Sequence, residues 1–275
     1  MTVLVLAFFL SLAVTLLAKQ YGFFVLTSSR PSIKLTFAQT MGGLCLYFFC
    51  YLLFLPLLYA VVSFLLKKDI KSVLWLGFWQ WSSLVALLVI LLLYCRLISC
   101  LKELLWGDKK PSLRSFAKDF GLGALAWLIS YPSVLLINLI ITGLLKQFGF
   151  QGLEEQEAIT QVKMTMHEPW LFAAMVVGVI AIVPVTEELL FRGLLQTYLR
   201  SRLGRGMSIV LTSALFAGVH FSNSQGMRNV ELILSLFVLS CYLGFLYERQ
   251  KTLWAPIGLH MTFNAITTAF LILSS

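Results

Sequence analysis

The sequence predicts an all-α fold, a polytopic transmembrane bundle of about eight helices that encloses an intramembrane polar cavity. Hydrophobic residues make up 59% of the 275 positions and charged residues only 12%, with a mean hydropathy of +0.89. Soluble domains are about half apolar and about one quarter charged. Long apolar stretches recur along the chain, and a few ionisable side chains lie within them. Together these observations exclude an ordinary soluble protein.

Apolar segments that approach the roughly 20 residues needed to cross a bilayer occur throughout the chain. They lie near positions 2–18, 38–66, 73–95, 120–145, 170–191, 207–222, 230–247 and 254–273. The first segment, Met1–Ala18, has no basic residue before it and no small-residue cleavage site. It therefore favours a first transmembrane helix over a cleaved signal peptide.

The charges of the connections indicate an orientation, because cytoplasmic loops are enriched in Lys and Arg. The 96–118 connection is basic, the next is rich in glutamate, and two later ones are basic again. The 96–118 connection contains Arg96, Lys102, Lys109, Lys110, Arg114 and Lys118, and the glutamate-rich one contains Glu154, Glu155, Glu157 and Glu168. The two later basic connections contain Arg200, Arg202 and Arg205, and Arg249 and Lys251. The pattern predicts a cytoplasmic 96–118 connection and both termini outside. Lys67, Lys68 and Lys71 fall on the wrong side of this scheme, so the first two helices are less firmly oriented.

The net charge of +9 does not indicate nucleic-acid binding. The basic residues are scattered among short connections and form no basic face with interleaved aromatic residues. The cysteines lie in or beside apolar segments and include no C-x-x-C pair: Cys45, Cys50, Cys95, Cys100 and Cys241. We therefore predict that they are small packing residues and not a disulfide framework or a metal site.

One shift in composition divides the chain. The polar stretch 105–118 separates an N-terminal transmembrane region, residues 1–118, from a C-terminal region, residues 119–275. The N-terminal region has no assigned role, and the C-terminal region has the residues expected of a catalytic core.

The motif E-E-L-L-F-R-G, residues 187–193, places three ionisable side chains directly after an uncharged apolar segment. Such groups at bilayer depth usually face a bundle interior or a watery cavity. Residues four apart share a helix face, so Glu188 and Arg192 are predicted to neutralise one another. Glu187 points elsewhere and has no partner in its own helix, which favours a role as proton acceptor. The alternative is that both glutamates belong to a structural charge network around Arg192.

Two of the three histidines lie in apolar segments further along the chain. His220 follows Phe216 by four residues, and His260 precedes Asn264 by four. Either histidine alone could be a hydrogen-bonded core residue. Two such histidines downstream of a buried glutamate pair favour a functional site.

These residues supply what peptide hydrolysis requires. Glu187 can activate a water molecule as a general base, and His220 can orient that water and share the proton. His260 and Asn264 can donate hydrogen bonds to the developing oxyanion. Phe216 would pack at the floor of the cavity.

Water is the favoured nucleophile, because no serine or cysteine lies in a nucleophile-elbow context. A glutamate with two histidines is also a legitimate zinc set, although the chain has no H-E-x-x-H motif. We therefore predict no metal ligand and no cofactor, with zinc as the alternative.

The three motifs resemble those of a known family. E-E-L-L-F-R-G (187–193), F-A-G-V-H (216–220) and H-M-T-F-N (260–264) are similar to the E-E-x-x-x-R, F-x-x-x-H and H-x-x-x-N motifs of the CPBP family. This family comprises CAAX proteases and bacteriocin-processing enzymes and is also called the abortive-infection family. The resemblance covers roughly residues 120–275 and leaves 1–118 unmatched.

The resemblance implies a helical intramembrane protease whose catalytic groups meet in a cavity. In the type II CAAX prenyl endopeptidases, that cavity removes the last three residues of a prenylated protein. Transferred to the matching positions of this sequence, the resemblance implies that Glu187 and His220 are the water-activating pair. It implies that His260 and Asn264 form the oxyanion site. Glu188 and Arg192 become supporting residues.

The sequence therefore predicts an intramembrane endopeptidase with a membrane-associated protein or peptide substrate, in the plasma (inner) membrane of a bacterial-type cell. A non-enzymatic immunity or scaffold protein that keeps the polar network for structure is the main alternative. A transporter with Glu187 as proton relay is a third hypothesis, and no inverted repeat supports it.

Overall fold

The computed structural model describes residues 2–26, 33–70, 72–150 and 164–274. Within these ranges the chain is helical and contains no β-strand, which confirms the predicted all-α fold. Three of the glutamates used to predict an external connection, Glu154, Glu155 and Glu157, lie outside the described residues, as does Lys71.

The described ranges contain the following helices in chain order. They are α1 (Thr2–Gln20), α2 (Phe37–Leu65), α3 (Val73–Leu97), α4 (Leu101–Trp106), α5 (Leu113–Gln147), α6 (Pro169–Leu203), α7 (Arg205–Gly218), α8 (Arg228–Gln250) and α9 (Trp254–Ser274). Helices α2 and α6 each contain wider turns with i→i+5 hydrogen bonding: Cys50–Phe54 in α2, and Gly178–Ile182 and Leu189–Gln196 in α6.

Seven helices in the described ranges are long and apolar enough to cross a membrane, one fewer than the predicted eight. The exception is the predicted segment 207–222, whose helix α7 has only 14 residues. Hydropathy alone did not reveal the early helix end, because Val219 and Phe221 extend the apolar run beyond it. The multi-pass membrane architecture is otherwise as predicted.

The basic connections meet at one end of the bundle. Arg200 and Lys251 reach the same carboxylate, Glu248, with nitrogen–oxygen distances of 3.1 and 3.4 Å. Asp119 at the start of α5 accepts hydrogen bonds from Lys109 at 2.6 Å and from Thr252 at 2.8 Å. The connections that the sequence grouped on the cytoplasmic side therefore lie together, and their cytoplasmic orientation stays a prediction.

Helices α5 and α9 approach closely through glycine. A Cβ atom on Gly123 would lie 1.9 Å from the carbonyl oxygen of Ala255, and one on Gly258 would lie 2.3 Å from that of Phe120. Small residues allow such close helix contact in membranes, where packing and not burial from water drives association. This contact fixes α9, which carries His260 and Asn264.

Polar side chains join α1, α5 and α8 inside the bundle. Ser133 on α5 lies 3.1 Å from Ser11 on α1 and 3.1 Å from Tyr242 on α8. Nearer the other end of the bundle, Asn138 donates a hydrogen bond to Glu231. The two contacts between α5 and α8 follow opposite orders along the two helices, so α8 is antiparallel to α5.

One core cluster contains residues from both sides of the predicted boundary at 118. Leu91, Cys95 and Leu104 pack there with Leu190 and Leu194 of α6. The five cysteines are free thiols and form no disulfide. The N-terminal region thus supports the helix that carries the charged motif.

Candidate active site

Glu187 and Glu188 lie in α6 between its two wide turns, Gly178–Ile182 and Leu189–Gln196, and Arg192 lies within the second. Insertions of this kind in a helix are frequent at functional sites, because they redirect side chains that a regular helix would present elsewhere. The side chain of Glu187 keeps 16% of its surface exposed, whereas that of Glu188 is completely buried. Adjacent carboxylates therefore have different surroundings.

Glu188 and Arg192 form the predicted ion pair, with 2.9 Å between Oε1 and Nη1. The other guanidinium nitrogen, Nη2, donates to the side-chain oxygen of Ser240 at 2.6 Å. The guanidinium carbon lies 4.6 Å from the centre of the Phe216 ring, within range of a cation–π interaction. A fully buried cation is thus held by a carboxylate, a hydroxyl and an aromatic face.

His260 is the second partner of Glu188. Its Nδ1 lies 2.8 Å from the same Oε1 atom that binds Arg192. A carboxylate that already accepts from a guanidinium can only accept again, so Nδ1 of His260 donates. This bond fixes the tautomer and leaves Nε2 directed away from Glu188.

His220 has its tautomer fixed in the same way. Its Nδ1 lies 2.7 Å from the backbone carbonyl oxygen of Phe216, which is an acceptor only. His220 follows the end of α7, so the short length of this helix sets the level of the imidazole.

Glu187 lies between the two imidazoles. Its Oε1 is 3.7 Å from Nε2 of His220, and its Oε2 is 3.7 Å from Nε2 of His260. Both distances exceed the range of a direct hydrogen bond and suit a bridging water molecule. The structure therefore brings together Glu187 of α6, His220 in the turn after α7 and His260 of α9.

Asn264 is oriented by the backbone of α6. Its Nδ2 donates to the carbonyl oxygen of Val179, 2.9 Å away, in the first wide turn. An amide nitrogen has two hydrogens, so one remains for another acceptor. Asn264 is thus tied to the helix that carries Glu187, one helical turn beyond His260.

Phe216 is completely buried beneath these groups. Its ring centre lies 4.9 Å from that of His220 and 5.9 Å from that of His260. The ring thus packs against both imidazoles and against the guanidinium of Arg192, where it excludes water from the ion pair.

Three contributors were missed at the sequence level. Ser240 is one small polar residue in an apolar helix, and nothing in the sequence distinguished it. Val179 contributes its backbone oxygen, which no sequence motif can indicate. Asn229 is bound three times by the turn after His220: it donates to the carbonyls of Ser222 and Gly226 and accepts from the Ser222 amide. Its proximity in sequence to the F-A-G-V-H motif was the signal available.

Zinc is the alternative to a metal-free site. Within the ranges that the structure describes, no group of three or more histidine, cysteine, aspartate or glutamate side chains is arranged to hold a metal ion. Nδ1 of each histidine is engaged, and each Nε2 faces a different oxygen of Glu187 at 3.7 Å. The catalytic steps proposed below use these side chains and water.

Comparison with known proteins agrees with the motifs. A Bacillus subtilis (strain 168) protein named "Putative membrane peptidase YdiL" is 26% identical over 188 residues, which are 68% of this chain and 69% of that protein. No solved structure matches the chain significantly. The resemblance predicted from the three motifs is confirmed, because residues 169–266, which contain all of them, match the family described as type II CAAX prenyl endopeptidase Rce1-like.

Proposed function

We propose that this protein is an intramembrane endopeptidase that hydrolyses a peptide bond with a water molecule activated by Glu187 and His220. One observation carries the proposal: the two carboxylate oxygens of Glu187 each face a histidine Nε2 at 3.7 Å, inside a transmembrane bundle. The family match and the description of the Bacillus relative support the peptidase class.

The first step is removal of a proton from water. A water molecule between Glu187 and His220 can hydrogen-bond to both side chains and so bridge them. The carboxylate of Glu187 is the proton acceptor. The free Nε2 lone pair of His220 accepts the second water hydrogen and so directs the oxygen toward the substrate. The new carbon–oxygen bond forms as the carbonyl electron pair moves onto the carbonyl oxygen.

That oxygen needs hydrogen-bond donors, which His260 and Asn264 can supply. When His260 carries a proton on both ring nitrogens, Nδ1 stays bound to Glu188 and Nε2 donates to the oxyanion. The remaining amide hydrogen of Asn264 is the second donor. Donors fixed in place beforehand stabilise developing charge without reorganisation.

The reaction ends when the carbon–nitrogen bond breaks. The oxyanion electron pair re-forms the carbonyl bond, the proton held by Glu187 passes to the departing amine, and the products are a carboxylic acid and an amine. Glu188 and Arg192 contact neither the water nor the substrate in this scheme, and they position His260.

The substrate class follows from the location of the site. A peptidase site within the bundle, flanked by lipid, takes a membrane-associated protein or peptide. Because the matched family is described by CAAX prenyl substrates, a prenylated C-terminal peptide is the first substrate to test. The plasma (inner) membrane of a bacterial-type cell is the location proposed.

The decisive experiment compares membrane proteomes of cells that produce the wild-type protein or Glu187→Gln, with new peptide termini as the readout. We expect a set of termini that Glu187→Gln abolishes. A matched variant, Glu168→Gln, removes a carboxylate from the start of the same helix and should keep that set.

Accumulation and thermal unfolding of both variants establish that they fold. Identical termini in wild-type and Glu187→Gln cells, with both proteins folded, would overturn the proposal in favour of the non-enzymatic alternative.

A further inference from the structure

A cavity lies away from the candidate active site, between α1, α5 and α8. Its volume is about 620 Å³, and the described residues that line it include neither Glu187 nor another residue of the candidate active site. The apolar wall consists of small and aliphatic side chains: Val14, Leu17, Gly121, Leu122, Leu125 and Ile129. Leu17 is 52% and Leu125 67% exposed on membrane-spanning helices, so this groove opens toward lipid.

Two cations lie at one end of the groove. Lys118 at the start of α5 and Arg249 at the end of α8 line it there, together with Tyr21 and Phe23. The guanidinium carbon of Arg249 lies 5.1 Å from the centre of the Phe23 ring. Its Nη1 atom is buried and has no hydrogen-bond partner among the described residues.

The nearby carboxylates are engaged by other groups. Asp119, which follows Lys118, is bound by Lys109 at 2.6 Å and by Thr252 at 2.8 Å. Glu248, which precedes Arg249, lies within 4 Å of three other basic side chains: Arg200, Arg205 and Lys251. In the described part of the chain, no ion pair neutralises Lys118 or Arg249.

We propose that this groove binds an anionic phospholipid from the surrounding bilayer. The phosphate lies between Lys118 and Arg249, and an acyl chain lies along the α5 wall from Gly121 to Ile129. Basic pockets between transmembrane helices bind anionic headgroups in this way. A zwitterionic lipid is the poorer ligand, because its own ammonium group is repelled by the two cations.

Gly121 gives the groove its depth. A Cβ atom there would meet no other atom within 4 Å, so the space beside α5 is open at this position. A larger side chain would fill the volume that the acyl chain requires, without a clash against protein.

The test titrates the purified full-length protein in detergent with phosphatidylglycerol, with phosphatidylcholine of the same acyl chains, and with inorganic phosphate. Native mass spectrometry counts bound lipid, and thermal unfolding reports stabilisation. Each basic residue near an anionic headgroup strengthens binding by about fivefold, so Lys118→Gln/Arg249→Gln should weaken phosphatidylglycerol binding by about 25-fold. Gly121→Leu should weaken binding of both lipids.

A matched control, Lys110→Gln/Arg114→Gln, removes the same charge from the same end of the bundle outside the groove and should leave binding unchanged. Equal loss in this control would overturn the proposal, since it would indicate general attraction to a basic surface. Equal binding of the two lipids, or equal stabilisation by inorganic phosphate, would also overturn it. If loss of Arg249 prevents folding, the single variant Lys118→Gln, at an exposed position, replaces the double variant in the same binding comparison.

Discussion

His260 and Arg192 share one oxygen of Glu188: Oε1 lies 2.8 Å from the imidazole Nδ1 and 2.9 Å from the guanidinium Nη1. Glu188 therefore does two things at once. It neutralises a buried cation, and it orients the imidazole that faces Glu187.

The first prediction concerns the stability of this network. Glu188→Ala leaves Arg192 buried without its carboxylate, which should destabilise the fold by about 3–5 kcal/mol. Thermal or denaturant unfolding in detergent measures the loss. The double variant Glu188→Met/Arg192→Met replaces both charges by apolar groups and should recover much of the stability. Equal destabilisation of the single and double variants would contradict a mutual ion pair.

The second prediction separates catalysis from folding at Asn264. Asn264→Ala removes the proposed oxyanion donor, and turnover should fall by about 10²- to 10³-fold with little change in KM. The lost hydrogen bond to Val179 should cost only about 1 kcal/mol of stability. Thr262→Val is the matched control. It also removes a hydrogen bond from a side chain of α9 to a backbone carbonyl, in this case one within α9 itself. If both variants lose activity equally, Asn264 has a structural role only.

The third prediction tests the contact between α5 and α9. Gly123→Ala would place a Cβ atom 1.9 Å from the Ala255 oxygen, so the helices must separate. Overpacking of this kind costs about 1–3 kcal/mol, and the displaced His260 should also reduce turnover. Gly143→Ala on the same helix meets no atom within 4 Å and should be neutral or slightly stabilising. Similar unfolding temperatures for the two variants would show that the contact is looser than described.

The fourth prediction concerns metal dependence. Since the described site offers no set of three metal ligands, incubation with a chelator should leave peptide cleavage unchanged. Activity of purified protein is measured before and after chelation, with added zinc as a further arm. Loss of activity that zinc restores would support the zinc alternative.

Contacts within one helix could be predicted from the sequence. The spacing of Glu188 and Arg192 alone gave their pairing, because residues four apart meet on a helix regardless of the remaining fold. The convergence of Glu187, His220 and His260 was predicted from the unusual cost of ionisable groups at bilayer depth and from the family motifs.

Contacts between helices were less accessible. The bond from His260 to Glu188 depends on how α9 lies against α6, and the close Gly123 and Gly258 contacts that fix α9 have no distinct sequence pattern. The length of α7 was overestimated for a related reason. Apolar residues after its end, such as Val219, have the hydropathy of a continuing helix. The turn that Asn229 holds there is visible only in the structure.

The shortness of α7 has a consequence for the bilayer itself. A helix of 14 residues is about 21 Å long, whereas the hydrocarbon layer is about 30 Å thick. The chain that follows exposes Asn223 and Ser224 where a full span would still be apolar. Such hydrophobic mismatch is relieved by thinning of the adjacent leaflet, so lipid headgroups and water should descend along this side of the protein to the level of His220. The membrane deformed by α7 would then be the route by which the reactant water arrives.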